Sequence, residues 1–377
     1  MSPASPPPHG PYLFELAAPV LASCSEGGQD ELKRIAELSM ALHYVRLSYP
    51  PSLLKATRAR AVARMLLDKL DDGQMLRLLG NTFLLQQHVT PYIFLRAPRR
   101  RSTYYEGLVE TFLASELQVR ECTPYRRLER AHLLYKLGAG DMDDVSEAAI
   151  FSDAQRVYFF NRDLSYALTH TLLYATDFST LSRPDPRARF ACLAIAAMSH
   201  EANDVDLFFE ASLCLMGQEL PAAVLAELQP LVAAMRERNP DLFAMADPLA
   251  GYHPLLVYDL LRGAALRHHA IDLADETPEL DAEPGLIRLA GALCLSLKGK
   301  DLERIESAYA AWCAAAGPEP FVRDMVKTRL ATLRLLASTH ILFEREFVHL
   351  GRRDASLYAE YLAAIDGLEQ RQAALLG

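Results

Sequence analysis

A row of polar and ionisable side chains runs along one predicted helix near the middle of the chain. Its members, spaced three or four residues apart, are Asp163, Tyr166, His170, Tyr174 and Asp177. Because an α-helix has 3.6 residues per turn, this spacing places all five on one face. The residues between them are mainly leucine and alanine, so we expect protein to enclose this polar face. Buried polar groups need partners, and a functional site is one reason to keep a row of them.

Two other segments offer partners for His170. His253 stands in a Tyr-His-Pro sequence, and Glu210 lies one helical turn before Cys214. The helical rise separates His170 from either end of the row by about 10 Å, which is too far for the row alone to surround one metal ion. His170 and His253 with a carboxylate from Glu210 or Asp177 would suit zinc or iron. Without metal, the same residues could act as a general acid and base.

These residues form the predicted site. The predicted catalytic residues are His170, Asp177, His253 and Glu210. The predicted ligands of a divalent metal are His170, His253 and Glu210. The predicted substrate-binding residues are Tyr166, Tyr174 and Tyr252. The alternative is structural, because tyrosine and histidine on a helix face also bridge packed helices through hydrogen bonds.

Three segments of this region carry a family resemblance. Residues 169–178 read Thr-His-Thr-Leu-Leu-Tyr-Ala-Thr-Asp-Phe, residues 210–215 begin with Glu and end with Cys-Leu, and residues 252–257 begin with Tyr-His-Pro. Together they resemble an uncharacterised actinobacterial family. Its members have a Thr-His motif leading to Thr-Asp-Phe or Thr-Asp-Trp-Gly, a later Glu with a Cys-Leu pair, and a Tyr-His near a final helix.

The resemblance implies an all-helical protein of specialised metabolism, and it implies no particular reaction. It also implies that His170, Asp177 and His253 belong together. Ser179 stands where the similar proteins have glycine, in the turn after Asp177.

Charge and motifs exclude several classes of function. The 377-residue chain has 39 Lys and Arg against 48 Asp and Glu, a net charge of -9. Nucleic-acid binding requires concentrated positive charge, so we expect no nucleic-acid partner. No apolar run approaches the roughly 18 residues of a membrane span. There is no phosphate-binding Walker loop and no dinucleotide glycine fingerprint, so we expect neither ATP nor NAD as a cofactor.

The cysteines favour a reducing, cytoplasmic compartment. The chain has 6, far apart and without a Cys-x-x-Cys pair. Residues 21–24 read Leu-Ala-Ser-Cys, the form of a lipoprotein cleavage box. However, no Lys or Arg precedes Lys33, whereas a signal peptide needs a positive start.

A group of arginines offers a second candidate surface, for an anionic ligand or an acidic carrier protein. Its members are Arg96, Arg99, Arg100, Arg101, Arg120, Arg126, Arg127 and Arg130. The alternative is a solvated surface, which is what charge runs usually mean.

The chain is predicted to be all-α, built of stacked antiparallel helix pairs that could close into an α/α toroid or extend as a solenoid-like array. Apolar residues three and four apart alternate with Gly, Pro and Asp throughout. The predicted helices are 29–48, 52–70, 74–89, 102–120, 124–137, 163–175, 186–198, 204–216, 221–237, 254–268, 284–297, 301–315, 319–350 and 355–375. Residues 1–11 are a proline-rich, disordered tail, and 12–377 form one large domain with possible halves 12–160 and 161–377.

Two functions remain open from the sequence. In the first, the chain is an enzyme of specialised metabolism that acts on a small organic or carrier-bound substrate in a helical cavity. In the second, it is a noncatalytic helical protein that binds a peptide or carrier partner.

Overall fold

A computed structural model describes residues 10–24, 29–69, 82–95, 103–114, 124–141, 161–274 and 283–348. Within these ranges the chain forms sixteen helices and no strand, which confirms the all-α prediction. The helices of the first part are α1 (Leu13–Ala22), α2 (Gln29–Ser48), α3 (Pro51–Leu54), α4 (Ala56–Lys69), α5 (Thr82–Leu95), α6 (Thr103–Ala114) and α7 (Pro124–Leu137). The helices of the second part are α8 (Arg162–Ala175), α9 (Pro186–Ala202), α10 (Val205–Met216), α11 (Ala222–Arg238), α12 (Pro240–Phe243), α13 (Pro248–His269), α14 (Leu286–Lys298), α15 (Leu302–Ala316) and α16 (Pro320–Val348).

Helix starts with strong capping signals were predicted closely. α2 and α7 have the predicted bounds, and α8 begins one residue early because the Asn161 side chain accepts a hydrogen bond from the Leu164 amide. In α15 the Asp301 side chain accepts a hydrogen bond from the Arg304 amide, next to the predicted start. The side-chain caps of α8 and α15 therefore account for the close prediction of their starts.

Several boundaries were predicted wrongly, among them the ends of α5 and α9, which lie six and four residues beyond the predicted 89 and 198. The segment before residue 29 was not assigned a helix, yet α1 spans Leu13–Ala22 with Pro19 inside it. α13 starts at Pro248 and not at Pro254, because Asp247 caps the earlier turn and a proline is tolerated at the first helical position. The predicted helix 52–70 is divided in two at Lys55, whose left-handed φ of 44° cannot continue a helix.

One large hydrophobic core joins most of the described helices, and the buried residues of α5, α6 and α7 lie in two smaller clusters beside it. The buried residues of the large core run from Tyr12 in the first part to Leu333 in α16, so helices on both sides of residue 160 contribute to it. Two glycines permit close helix contacts. A Cβ on Gly291 of α14 would lie 2.4 Å from Ala197 Cβ of α9, and one on Gly263 of α13 would lie 2.8 Å from the Tyr49 ring.

Several sequence predictions fall outside the described residues, including residues 1–9 of the predicted tail and the helix 355–375. The proposed halves of the domain and their boundary remain predictions. No described helix combines the length and the apolar character that crossing a membrane requires.

Candidate functional site

A small cavity lies where α2, α8, α10 and α13 come together. Its volume is about 120 Å³, and its lining includes His170, Glu210 and His253. Leucines, a valine and the ring of Phe178 form much of the remaining wall. Three of the four predicted catalytic residues therefore converge on one largely apolar cavity with a polar end.

His170 faces this cavity from α8, and its side chain is 32% exposed. Its Nδ1 donates a hydrogen bond of 2.9 Å to the carbonyl oxygen of Tyr166, one turn earlier in the helix. Because a carbonyl oxygen can only accept, Nδ1 carries the proton of the neutral ring and Nε2 is its basic nitrogen. The same Nδ1 lies 3.5 Å from Glu210 Oε2.

Glu210 and Asp206 stand one turn apart on α10, whose N-terminus is capped by Asp204. Glu210 is 1% exposed, and Thr169 Oγ1 donates a hydrogen bond of 2.5 Å to its Oε2. Burial and the nearby charge of Asp206 raise the pKa of the Glu210 carboxyl, although His170 and His253 oppose this.

His253 approaches α10 from the second turn of α13. Its Nδ1 donates a hydrogen bond of 2.7 Å to Asp206 Oδ1, and its Nε2 lies 3.8 Å from Glu37 Oε1 of α2. Burial lowers the pKa of the His253 imidazole. The hydrogen bond to Asp206 and the surrounding carboxylates outweigh burial and raise it to about 9. For Asp206, burial raises the pKa, but the hydrogen bonds from His253 and Tyr166 lower it below its ordinary value.

The three predicted substrate-binding tyrosines take different places. Tyr174 lines the cavity, as its position on the helix face requires. Tyr166 lies behind the wall and donates a short hydrogen bond to Asp206 Oδ2. Tyr252 also lies behind it and donates a hydrogen bond of 2.7 Å to Glu37 Oε2. Tyr166 and Tyr252 therefore orient carboxylates, and neither lines the cavity.

Asp177 does not join the cavity cluster. It is 5% exposed and accepts four hydrogen bonds in a separate buried cluster, from Tyr44 Oη (2.6 Å), His132 Nε2 (2.8 Å), Lys136 Nζ (2.6 Å) and Thr180 Oγ1 (2.8 Å). Burial raises the pKa of the Asp177 carboxyl, but these neighbours lower it well below its ordinary value. The expectation that Asp177 belongs with His170 and His253 was wrong, because the backbone reverses after α8 and directs the carboxylate away from them.

That reversal is a turn of three consecutive left-handed residues, Asp177, Phe178 and Ser179, with φ angles of 50°, 52° and 59°. The left-handed conformation costs roughly 1 to 2 kcal/mol for each residue with a Cβ. Ser179 occupies it although it has a Cβ, and its Oγ donates a hydrogen bond of 2.6 Å to the Leu213 carbonyl. The turn presents Phe178 to the cavity, with its ring stacked 4.8 Å from that of Tyr44.

Asp206, Glu210 and His253 are the described residues that could hold a metal ion together. One ligand atom from each lies within 4.8 Å of the other two. His170 is not part of this group, and its Nδ1 is occupied by the Tyr166 carbonyl. The predicted ligand set of His170, His253 and Glu210 thus contains two residues of the observed group, and Asp206 replaces the third.

Comparison with known families gives one match, in which a model of a domain of unknown function, DUF6895, matches residues 12–239. The chain belongs to this family. The match agrees with the predicted resemblance to an uncharacterised all-helical family, while the actinobacterial origin and the motifs remain predictions. No curated protein and no solved structure matches the DUF6895 chain. His170, Asp206 and Glu210 lie within the matched residues, and His253 lies beyond them.

Sequence reasoning missed two carboxylates at the cavity of the DUF6895 chain. Asp206 lies in the first turn of α10, where the helix dipole stabilises a negatively charged side chain. An acid at this position is therefore expected without any functional role. The one other feature of the sequence that points to Asp206 as a site residue is its four-residue spacing to Glu210, which places both on one helix face. Glu37 is separated from His253 by more than two hundred residues, and no local pattern links them. The partners of Asp177 on α2 and α7 were missed for the same reason.

The arginine surface has only two described side chains. Arg127 is exposed. Arg130 is 4% exposed, donates a hydrogen bond of 3.0 Å to the Phe112 carbonyl and lies over the Phe112 ring. Arg130 is thus a packing residue between α7 and α6. The other predicted members of the surface lie outside the described side chains.

Proposed function

We propose that this DUF6895 chain is an enzyme that acts on a small organic molecule in the cavity between α2, α8, α10 and α13. One observation supports this most strongly. His170 and His253 both lie near the same buried carboxylate, Glu210, in a cavity whose wall is largely apolar. The other charged and polar side chains that line this cavity are Lys33, Glu37, Gln87 and Glu129. A concave apolar pocket with a few convergent polar groups is the usual form of a small-molecule site.

In this proposal His170 transfers the proton. Its ring orientation is set by the hydrogen bond to the Tyr166 carbonyl, which leaves Nε2 as the basic nitrogen. Asp206, Glu210 and His253 bind and polarise the reacting end of the molecule, while Tyr174 and Phe178 contact its apolar part. The cavity volume of about 120 Å³ suits a compact molecule or the end of a longer, carrier-bound one.

The proposal also covers the cell compartment and the metabolic role of the activity. Five described cysteines are free, which favours a reducing compartment such as the cytoplasm. Specialised metabolism is the proposed biological role.

The test compares wild-type protein with His170→Gln and with the control His269→Gln, whose position at the end of α13 is away from the cavity lining. Each is incubated with a small-metabolite extract in D₂O and followed by high-resolution mass spectrometry. We expect at least one compound to be consumed or deuterium-labelled by wild type and His269→Gln only. Identical profiles for wild type and His170→Gln would contradict the proposal. Compounds bound without change by both would favour the noncatalytic alternative.

A further inference from the structure

The group formed by Asp206, Glu210 and His253 has the composition of a metal centre. One carboxylate oxygen from each acid and one imidazole nitrogen lie within 4.8 Å of one another. Two carboxylates and one imidazole are ligands that zinc, manganese and iron(II) accept, whereas calcium and magnesium favour oxygen ligands alone. We propose that these three residues bind one divalent transition-metal ion at the polar end of the cavity.

The ligands stand on rigid elements. Asp206 and Glu210 are one turn apart on α10, and His253 lies on α13, which packs directly against α10. Glu210 and His253 also line the cavity, so a molecule in the cavity can reach the open coordination positions of the ion. Three protein ligands with an open position are typical of a catalytic metal site.

Each ligand has a neighbour that orients it. Tyr166 donates to Asp206 Oδ2 and Thr169 donates to Glu210 Oε2, which leaves Glu210 Oε1 for a metal. Asp206 Oδ1 becomes a ligand when the ion replaces the proton that it shares with His253 Nδ1. His253 Nδ1 lies on the Asp206 side, 2.7 Å from Oδ1. When Nδ1 binds the ion, Nε2–H is directed at Glu37, which is 3.8 Å away.

In metal sites an outer carboxylate fixes the ring orientation of a histidine ligand by accepting a hydrogen bond from its second nitrogen. Glu37 would take this role if metal binding closes the 3.8 Å between its Oε1 and His253 Nε2 to hydrogen-bond distance. Its own position is held by the hydrogen bond of 2.7 Å from Tyr252 Oη. This hydrogen bond gives a role to Tyr252, which was predicted to bind substrate but does not line the cavity.

The charges of the group also favour a cation. Glu210 is almost fully buried, and Asp206 and Glu37 are its carboxylate neighbours around His253. Carboxylates at close range repel one another unless positive charge is supplied, and in the metal-free chain the His253 imidazole supplies one such charge to the three acids. A divalent ion would supply positive charge between Asp206 and Glu210 and would act as a Lewis acid on the bound molecule. This inference deepens the proposed function, but its test does not depend on turnover.

The experiment uses the full chain, stripped with chelator and titrated separately with Zn²⁺, Mn²⁺ and Fe²⁺, the last without oxygen. Bound metal is measured by elemental analysis and affinity by calorimetry. We expect about one tightly bound ion per chain for at least one metal, a rise in the thermal midpoint, and at least a 100-fold weaker affinity in Glu210→Gln. Asp163→Asn, which removes an exposed carboxylate on α8, is the matched control and should bind as wild type does.

Two further variants make the result independent of the folding of Glu210→Gln. Asp206→Asn and His253→Gln should each lose the same ion, and Co²⁺ bound to wild type should show visible absorption that His253→Gln lacks. The proposal is overturned if wild type binds no ion tightly, or if all three ligand variants retain wild-type affinity and stoichiometry. Turnover by a wild-type chain that binds no ion tightly would reject the metal and leave the proposed enzyme function standing, and tight metal binding without any turnover would do the reverse.

Discussion

His253 Nδ1 of α13 donates a hydrogen bond of 2.7 Å to Asp206 Oδ1 of α10, although the two residues are far apart in sequence. Burial alone would lower the pKa of the His253 imidazole, yet this bond and the surrounding carboxylates raise it to about 9. In chelator-treated protein, Asp206→Asn is therefore expected to lower the pKa of His253, because an amide supplies no negative charge. An NMR titration of the His253 ring protons measures this pKa in wild type and in the variant. An unchanged pKa in Asp206→Asn would contradict the conclusion that Asp206 raises the pKa of His253.

The same bond predicts a pH dependence of stability in the chelated protein. The folded pKa of about 9 lies above the ordinary value of about 6.5. The charged imidazole thus stabilises the fold fully below pH 6.5, and this contribution is lost as the pH rises through 9. Its size is on the order of 3 kcal/mol. Urea denaturation from pH 6 to 10 should show a steeper loss of stability in wild type than in His253→Gln.

Asp177 is predicted to be a structural residue. Its carboxylate pairs with Lys136, and the two side chains are 7% and 10% exposed. Asp177→Asn removes the negative charge to which Lys136 and His132 both donate in this buried cluster, which should lower the free energy of unfolding by about 3 to 5 kcal/mol. The exposed Asp163→Asn should change it by less than about 0.5 kcal/mol. A stable Asp177→Asn protein that has lost activity would instead place Asp177 in the catalytic machinery.

Asp259 is predicted to make the stability fall as the pH rises toward neutrality. This fully buried carboxyl of α13 accepts hydrogen bonds of 3.0 and 2.7 Å from the amides of Tyr12 and Leu13 at the start of α1. Burial raises its pKa to about 7 despite these bonds and the charge of Arg262.

Because the folded pKa of Asp259 lies above the ordinary value of about 3.9, its contribution is complete below pH 3.9 and is lost as the pH rises through 7. The difference in unfolding free energy between wild type and Asp259→Asn should therefore decrease by an amount on the order of 4 kcal/mol over this window. Denaturation curves at several pH values measure this difference. A constant difference would show that the carboxyl is ionised throughout.

Ala270 ends α13 in the left-handed region, with φ of 56°, and its side chain is exposed. Ala270→Gly should raise the free energy of unfolding by about 1 kcal/mol, because glycine adopts this conformation without a Cβ clash. Ala311 is exposed within α15, and there the same change should lower it by about 1 kcal/mol. Thermal and chemical denaturation of the two variants should thus give shifts of opposite sign.

Part of the candidate site was predictable because one helix carries it. The periodic spacing from Tyr166 to Tyr174 placed His170 and Tyr174 on a common face, and both line the cavity. The periodicity does not extend past the end of the helix. Asp163 is exposed at one end of the row, and Asp177 lies in the left-handed turn beyond the other end.

The amino-acid sequence by itself determined the helical class, the bounds of α2 and α7, the capped start of α8, and the face on which His170 lies, because these depend on residues within one or two turns of each other. Only the tertiary structure decided that Asp206 and Glu37 join His253 and that Asp177 leaves the group. Those contacts depend on how α2, α10 and α13 pack, and packing brings together residues whose separation along the chain carries no periodic signal.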